Sequence, residues 1–279
     1  MAVASDSSAT WWNPAGQGAG PFFDMAISRA FTRIDGSPAD RDQNGSSFTL
    51  AIPPIGFGYY RLRITDIRGS GTTAEGGVDR QDRGVGLPTR SLSATQVGVT
   101  LVHSLISGVH AGTTLKYLRG SVEDADSEGS ADLDLGILAV AGSLRVGAVV
   151  RNLREADFAD PRSPGDPVRL PRQTRVGAAF SPEAASGVPL TISLDADVQG
   201  YSAGGEDRRA VAAGVEHWLM SRLFGIRAGA RFNTAGAREK SATAGLTVSV
   251  RTGVYVEGHV VRGGAADERG WGIAGRVSF

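Results

Sequence analysis

The chain has 279 residues with 29 basic and 29 acidic side chains, so its charge does not favour a polyanion such as nucleic acid as a partner. It contains no cysteine, which excludes disulfides, zinc–thiolate sites and thiol nucleophiles. Its 39 glycines are roughly twice the average share, and no uninterrupted run of about 18 apolar residues predicts a membrane helix.

The first distinctive stretch is SATWWNPAGQG, at residues 8–18. It places two adjacent tryptophans, Trp11 and Trp12, before Asn13-Pro14 and a glycine-rich run. Neither a helical nor a strand period passes through this stretch. Because proline fixes its own φ and restricts the residue before it, we expect a turn at Asn13 and Pro14.

The rest of the chain alternates between apolar and polar residues with the period of two that is typical of β-strands. In the C-terminal WGIAGRVSF, for example, Trp271, Ile273 and Val277 share one face, whereas Gly272 and Arg276 share the other. No comparable stretch has a helical period, so few helices are expected. The predicted strands lie at residues 22–32, 46–52, 56–67, 90–105, 108–120, 131–141, 143–153, 173–181, 188–199, 208–219, 222–232, 242–250, 253–262 and 270–279.

The connections between these strands alternate between long and short nearly all the way along the chain, as in IDGSPADRDQNG followed by PPIG. In an up-and-down barrel that crosses a membrane, turns lie at one end and loops at the other, and an even strand number places both termini at the turn end. A membrane also forbids open strand edges. The predicted fold is all-β: a transmembrane antiparallel up-and-down β-barrel of about 14 strands. A soluble β-sandwich would explain the alternation but not the loop asymmetry.

The two faces of the predicted strands then have different surroundings. The apolar face should contact lipid, with Val146, Ala148, Val150, Ile226, Ala228, Phe232, Val248 and Val250 as clear members. The polar face should line the lumen and carries charges of both signs, which either hold the lumen in shape through ion pairs or line a conduit. The predicted lumen residues are Arg145, Arg151, Asp195, Asp197, Glu216, Arg227, Arg231, Glu257, His259 and Arg276.

Catalytic and metal-binding chemistry is not favoured. None of the four histidines, His103, His110, His217 and His259, is paired with a nucleophile in a recognisable motif, so no enzyme is predicted. The acidic stretch at residues 124–134 lacks the EF-hand spacing; a solvated loop is expected, with a loose Ca²⁺ site as the alternative. No metal and no cofactor are predicted.

Several motifs resemble one family of bacterial outer-membrane barrels. The closing GRVSF, with its terminal Phe279, resembles the C-terminal signal by which such barrels are recognised for assembly. The stretch ATWWNPAG at residues 9–16 resembles the N-terminal motif of the FadL/PorV-like superfamily, which includes transporters of long-chain fatty acids and hydrocarbons and a shuttle protein of type IX secretion. The stretches VGAVVRNL, LPRQTRVGAAF and AAGVEHWLMSRLFGIRAGARF resemble the PorV branch.

The resemblance implies a fourteen-stranded barrel, residues 22–279, with an N-terminal hatch, residues 1–21, inside it. The hatch turn would be Asn13, Pro14, Ala15 and Gly16. An apolar ligand would meet Trp11, Trp12, Phe22 and Phe23, although the tryptophans would equally serve to pack the hatch against the wall.

The resemblance also implies a location in the bacterial outer membrane, in contact with its lipid. Met1 is followed by Ala-Val-Ala-Ser-Asp without a signal peptide, so we expect the true start to lie upstream. The implied function is passive uptake of hydrophobic small molecules resembling long-chain fatty acids. The alternatives are a PorV-like shuttle barrel that binds secreted proteins and a barrel with only a structural role.

Overall fold

The structure is a computed structural model that describes residues 3–35, 39–68, 89–122, 128–158, 168–203, 206–264 and 268–279. Its main feature is a closed barrel of antiparallel strands in which every strand pairs with its neighbours along the chain and the first pairs with the last. The predicted fourteen-stranded up-and-down barrel is confirmed.

The barrel strands match the predicted positions one for one. They are β1 (Asp24–Ile34), β2 (Ala39–Ile52), β3 (Ile55–Arg68), β4 (Thr89–Ile106), β5 (Val109–Val122), β6 (Glu128–Ala141), β7 (Leu144–Arg151), β10 (Gln173–Phe180), β11 (Leu190–Asp197), β14 (Ala210–Leu219), β15 (Phe224–Asn233), β16 (Lys240–Arg251), β17 (Val254–Gly263) and β18 (Arg269–Ser278). The remaining strands form two small hairpins, β8 (Asp157–Phe158) with β9 (Val168–Arg169) and β12 (Tyr201–Ala203) with β13 (Glu206–Arg208).

The barrel closes between β1 and β18, where Asp24 lies opposite Ser278. Phe23 and Phe279 then exchange two backbone hydrogen bonds of 3.0 and 2.8 Å, which fasten both chain ends to the same rim. The short turns, such as residues 53–54 and 142–143, lie at this end, and the long connections lie at the other. A single helical turn, α2 (Glu183–Ser186), occupies one connection at the turn end. The predicted loop asymmetry is therefore present.

The main difference from the sequence prediction is that β2 and β6 begin earlier. The polar residues after Ile34 were expected to form a long loop, yet β2 begins at Ala39, which pairs with Arg68 of β3. Asp, Asn and Gln are poor strand formers, but the neighbouring strand satisfies their backbone groups and overrides that preference.

The two faces of the barrel have opposite polarity to those of a water-soluble protein. Large apolar side chains point outward and are exposed, for example Ile27 (65%), Leu115 (61%) and Val250 (67%). Most fully buried side chains are polar and point inward, among them Thr100, Thr114 and Lys116. No helix in the described part of the chain is long and apolar enough to cross a membrane. The outward apolar band is the surface that a barrel presents to lipid.

Candidate functional site: a divided lumen

The N-terminal segment, defined here as residues 3–19, lies inside the barrel. It consists of one helical turn, α1 (Ala9–Trp12), and a 3-10 helix (Pro14–Ala19). The helical turn packs on β3 and β4, and the 3-10 helix packs on β4, β5 and β6. Asn13 and Ala15 are completely buried. The N-terminal segment therefore fills one half of the lumen, whereas its role as a hatch stays a prediction.

Four inward-facing glycines on the barrel wall make this close packing possible. At each of them the Cβ of any other residue would lie only 1.9 to 2.6 Å from an atom of the N-terminal segment. At Gly136 that atom is Oδ1 of Asn13, and at Gly58 it belongs to the ring of Trp11. Sequence reasoning missed this surface, although its members share a face and a height on β3, β5 and β6: Gly56, Gly58, Gly112 and Gly136.

Asn13 fixes the N-terminal segment to the wall through its side chain. Oδ1 accepts a hydrogen bond from the backbone N–H of Ala15 (3.2 Å), which caps the 3-10 helix. Nδ2 donates to the backbone carbonyls of Ile137 (3.1 Å) and Ala148 (3.4 Å). The predicted turn at Asn13 and Pro14 is thus the point at which the N-terminal segment is hydrogen-bonded to β6 and β7.

Buried hydroxyl groups add a second line of contacts along the same half of the lumen. Oγ1 of Thr10 lies 2.6 Å from Oγ1 of Thr100, which in turn lies 2.7 Å from Oγ1 of Thr114. Oγ of Ser7 lies 2.8 Å from Oγ1 of Thr49. Since paired hydroxyls satisfy one another away from water, these contacts let the hydroxyl groups of the segment and of the wall be buried together.

The two adjacent tryptophans face opposite halves of the lumen. Trp11 packs over Gly58 and meets Tyr60 edge-on, with ring centroids 6.2 Å apart; its indole nitrogen is buried without a hydrogen-bond partner in the described part of the chain. Trp12 borders the open half of the lumen, and the guanidinium carbon of Arg151 lies 5.7 Å from its ring centroid. Trp11 therefore packs the N-terminal segment against the wall, and Trp12 is available to a molecule in the lumen.

The two predicted phenylalanines do not join the tryptophans. Phe22 is 78% exposed, and Phe23 lies beside Phe279, with ring centroids 6.4 Å apart, at the turn-end rim. The chain has already left the lumen at this point, because Asp24 begins β1. The structure thus separates the predicted ligand-contacting set into a luminal pair and a rim pair.

A cavity of about 1100 Å³ occupies the other half of the lumen. It follows the inner faces of β10, β11 and β14–β18, and Trp12 and residues 3–5 form its border with the N-terminal segment. Most of its wall consists of alanine, glycine, serine and threonine, interrupted by charged side chains of both signs. The cavity is therefore wide because its wall carries small residues.

Predicted lumen charges form an ion-pair network along this cavity. Arg227 is its centre: Nη2 lies 2.8 Å from a carboxylate oxygen of Glu257, and Nε lies 3.5 Å from one of Glu216. The other carboxylate oxygen of Glu257 lies 3.9 Å from Nη1 of Arg276. Four residues predicted from strand register alone are thus brought together across β14, β15, β17 and β18.

The network also holds the N-terminal segment. Arg276 contacts Asp24 on β1 (2.7 Å) and Asp6 of the N-terminal segment (3.1 Å). On the opposite side, Arg145 donates to the hydroxyl of Ser5 (2.8 Å). The charges of the open half of the lumen therefore contact the edge of the segment that fills the other half.

The remaining predicted lumen residues also lie on the inner face. Asp195, Arg231 and His259 line the cavity. Asp197 is buried, pairs with Arg175 at 2.7 Å, and accepts the backbone N–H of Ala210. Arg175 was not among the predicted lumen residues.

A buried cluster at the long-loop end corrects the interpretation of the acidic stretch. Asp132 and Asp134 belong to β6 and are buried rather than solvated. Nζ of Lys116 lies 2.5 Å from Oδ1 of Asp134 and 2.6 Å from Oδ1 of Asn152. Asn152 has a φ of 55°, which turns the chain out of β7, and the backbone N–H of Arg154 donates to Asp132. Residues 123–127 lie outside the described part of the chain.

The predicted strand at residues 131–141 includes both aspartates, but their burial was missed because they also stand in an acidic run that looks like a loop. A signal was present, since Asp132 and Asp134 follow the period of two of that strand. No group of three or more His, Cys, Asp or Glu residues that could hold a metal ion occurs among the described residues. The cation that contacts Asp134 is the ammonium group of Lys116.

The chain was compared with protein-family models, curated proteins and solved structures. Residues 78–197, less than half of the chain, match the family model of the F plasmid transfer operon TraF protein. No curated protein matches the chain.

Among solved structures, the toluene transporter TbuX of Ralstonia pickettii is similar over 98% of this chain and 94% of its own, with a TM-score of 0.67 and 13% identity. A FadL homologue of Pseudomonas aeruginosa is similar over 99% and 95%, with a TM-score of 0.68 and 10% identity. The monoaromatic hydrocarbon channel CymD is similar over 98% and 93%, with a TM-score of 0.65 and 11% identity.

The chain therefore has the fold of these outer-membrane β-barrels. More narrowly, its fold is similar to that of the FadL homologue, in agreement with the resemblance that the sequence motifs indicated. The assignment to the PorV branch stays a prediction.

Proposed function

We propose that this protein is an outer-membrane channel for the passive uptake of small hydrophobic molecules. The observation that carries the proposal is the position of Trp12, whose ring borders a cavity of about 1100 Å³ inside a FadL-like barrel. Such a volume exceeds that of most small-molecule sites, and an aromatic ring at its edge offers an apolar contact. Two solved structures of the same fold are described as a toluene transporter and a monoaromatic hydrocarbon channel.

The barrel wall supports a route from the lumen into the membrane. Three neighbouring strands, β7, β10 and β11, have 8 residues each, whereas every other barrel strand has at least 10. A tilted strand needs about 9 to 11 residues to span the hydrocarbon layer. The hydrogen-bonded wall is therefore short on this side. A hydrophobic molecule could leave the lumen there without crossing bulk water, driven only by its concentration gradient.

Heavy-atom quenching of tryptophan fluorescence tests the proposal, because bromine quenches an indole that it touches. The probes are bromobenzene for monoaromatic molecules and dibromostearate for long-chain fatty acids. The protein carries Trp218→Phe and Trp271→Phe, since Trp218 also borders the cavity and Trp271, which is 50% exposed on the outer face, would respond to any probe dissolved in the detergent. Trp12→Phe and Trp11→Phe are then compared in this background.

We expect one of the probes to quench the fluorescence contributed by Trp12 at lower concentration than that contributed by Trp11. Trp12→Phe then removes the sensitive signal, and Trp11→Phe retains it. The more effective probe identifies the ligand class as monoaromatic or long-chain. Equal quenching of both tryptophans, or none, would contradict uptake through this cavity and favour the alternative of a protein-binding or structural barrel.

A further inference from the structure

A groove on the outer surface of the barrel has no part in uptake through the lumen. It has a volume of about 560 Å³ and lies near the long-loop end, where β17, β18, β1 and β2 adjoin. We call it the membrane-side groove and define it by six of its side chains: Phe31, Arg33, Val260, Arg262, Arg269 and Trp271.

Strand register shows that these side chains point away from the lumen. Phe31 lies opposite Trp271, and Arg33 lies opposite Arg269. Trp271 shares its strand face with Ile273, and both are at least half exposed, whereas Arg276 on the other face of the strand reaches the luminal network. The membrane-side groove is therefore part of the surface that faces lipid.

The floor of the membrane-side groove is apolar. The rings of Phe31 and Trp271 are stacked with centroids 4.6 Å apart and an interplanar angle of 29°. Val260 beside them is 53% exposed. The guanidinium carbon of Arg29 lies 5.1 Å from the ring centroid of Phe31. Aromatic side chains at this height form the belt at which a barrel meets the membrane–water interface.

The rim of the membrane-side groove is basic. Arg33 and Arg269 are each 53% exposed and share the carboxylates of Asp35 and Asp42 at 3.0 to 4.0 Å. Arg262 has no ion pair with an acidic side chain among the described residues. With Arg29 included, four arginines face two aspartates among the described side chains.

Outward-facing arginines also occur on β3 and β5 (Arg61, Arg63 and Arg119), but the side of the barrel opposite the groove has none among the described residues. The outward positions of β7, β10, β11, β14 and β15 carry no Asp, Glu, Lys or Arg among the described residues. Their surface consists of apolar side chains such as Val146, Leu194 and Ile226. The basic residues therefore do not surround the barrel as a uniform belt, and the stacked rings of Phe31 and Trp271 beside the arginines distinguish the membrane-side groove from the rest of the charged surface.

We propose that the membrane-side groove binds the phosphate groups of an anionic outer-leaflet glycolipid of the lipid A class. Guanidinium groups hold phosphate through paired hydrogen bonds, and acyl chains lie against Phe31, Trp271 and Val260. Basic pockets on the membrane face of a protein bind lipid headgroups in this way. The inference rests on the proposed outer-membrane location with the long loops outside, because that orientation places the groove in the outer leaflet.

The test measures binding of lipid A to the purified full chain in detergent by isothermal titration. The ligands are bisphosphorylated lipid A and phosphatidylethanolamine, with inorganic phosphate as a competitor. The groove variant is Arg262→Gln/Arg269→Gln. The matched control is Arg61→Gln/Arg119→Gln, which removes two exposed, outward-facing arginines of β3 and β5 away from the groove. Each barrel is checked for folding by gel electrophoresis, in which a folded barrel migrates more slowly after heating than before.

We expect the groove variant to bind bisphosphorylated lipid A at least about tenfold more weakly than the parent, because it loses two charge-assisted contacts. The control should stay within about twofold, and phosphatidylethanolamine should bind far more weakly. Equal losses in both variants, equal binding of the two lipids, or displacement by millimolar inorganic phosphate would overturn the proposal.

The Trp12 quenching experiment on the same variants separates this proposal from uptake. If the groove variant loses lipid A but Trp12 still responds to the hydrophobic probe, the membrane-side groove acts independently of the lumen. If lipid A binds the parent and Trp12 does not respond, the proposed uptake fails and the glycolipid site stands.

Discussion

Replacing Gly136 by alanine should release the N-terminal segment from the barrel wall. The new Cβ would lie 1.9 Å from Oδ1 of Asn13 and 3.0 Å from Cδ of Pro14. Oδ1 would have to withdraw by about 1.5 Å to reach an ordinary van der Waals separation. Because Asn13 is fully buried and bonded on both sides of its amide, it cannot move without breaking those bonds.

The expected size of the effect follows from the bonds that would be lost. They are the cap to the N–H of Ala15 and the two bonds to the carbonyls of Ile137 and Ala148. At about 1 kcal/mol each, they sum to about 3 kcal/mol. That change raises the population of molecules in which the segment is released by about a hundredfold, while the barrel hydrogen bonds remain intact.

Limited proteolysis of the folded protein measures this population. Chymotrypsin cleaves after tryptophan, and Trp11 and Trp12 are protected while the N-terminal segment is docked. Gly214→Ala is the matched control: it lies on the inner face of the cavity half, and its new Cβ would approach only Oγ of Ser193 at 3.2 Å. If Gly136→Ala and Gly214→Ala were cleaved at equal rates, the glycine surface would not be what holds the segment.

Two further changes probe the buried and luminal charges. Lys116→Met leaves the carboxylate of Asp134 buried without its partner, so the free energy of unfolding in urea should fall by about 3 to 5 kcal/mol. Glu183→Gln, which breaks the exposed pair with Arg222, should cost less than about 1 kcal/mol; similar losses for the two variants would contradict this reasoning. Arg227→Gln leaves Glu216 and Glu257 facing the cavity, so the reversal potential in a salt gradient should shift toward cation selectivity. An unchanged reversal potential would place these carboxylates outside the ion path.

The strands could be predicted because the barrel imposes the same pattern on each of them. A lipid face and a lumen face alternate along every strand, so each strand carries its own signal of period two. The strand starts at Ala39 and Glu128 could not be predicted, since β2 and β6 begin there in polar residues that sequence statistics assign to loops. Their pairing with neighbouring strands decides their structure.

The strand face on which each candidate site residue lies could be predicted, but the contacts between these residues could not. Register alone placed Arg227 and Glu257 on the inner face, but their contact links residues 30 positions apart and depends on the stagger between β15 and β17. The family resemblance implied that Phe22 and Trp12 would both meet a ligand. The chain leaves the lumen before β1, so Phe22 is exposed at the rim and lies apart from Trp12, and ligand contact by either side chain stays a prediction.

The different orientations of Trp11 and Trp12 follow from helix geometry. As a result, one helical turn contacts both halves of the lumen. Consecutive residues of a helical turn point about 100° apart, so a helical turn laid along the boundary presents one ring to the wall and the other to the cavity. A shift of the helical turn that moved Trp12 would also move Trp11 off Gly58, where the wall leaves room for its ring. The same segment carries Asp6, which contacts Arg276 at the edge of the cavity. A molecule that displaces Trp12 would thus act on both the docked helical turn and the ion-pair network.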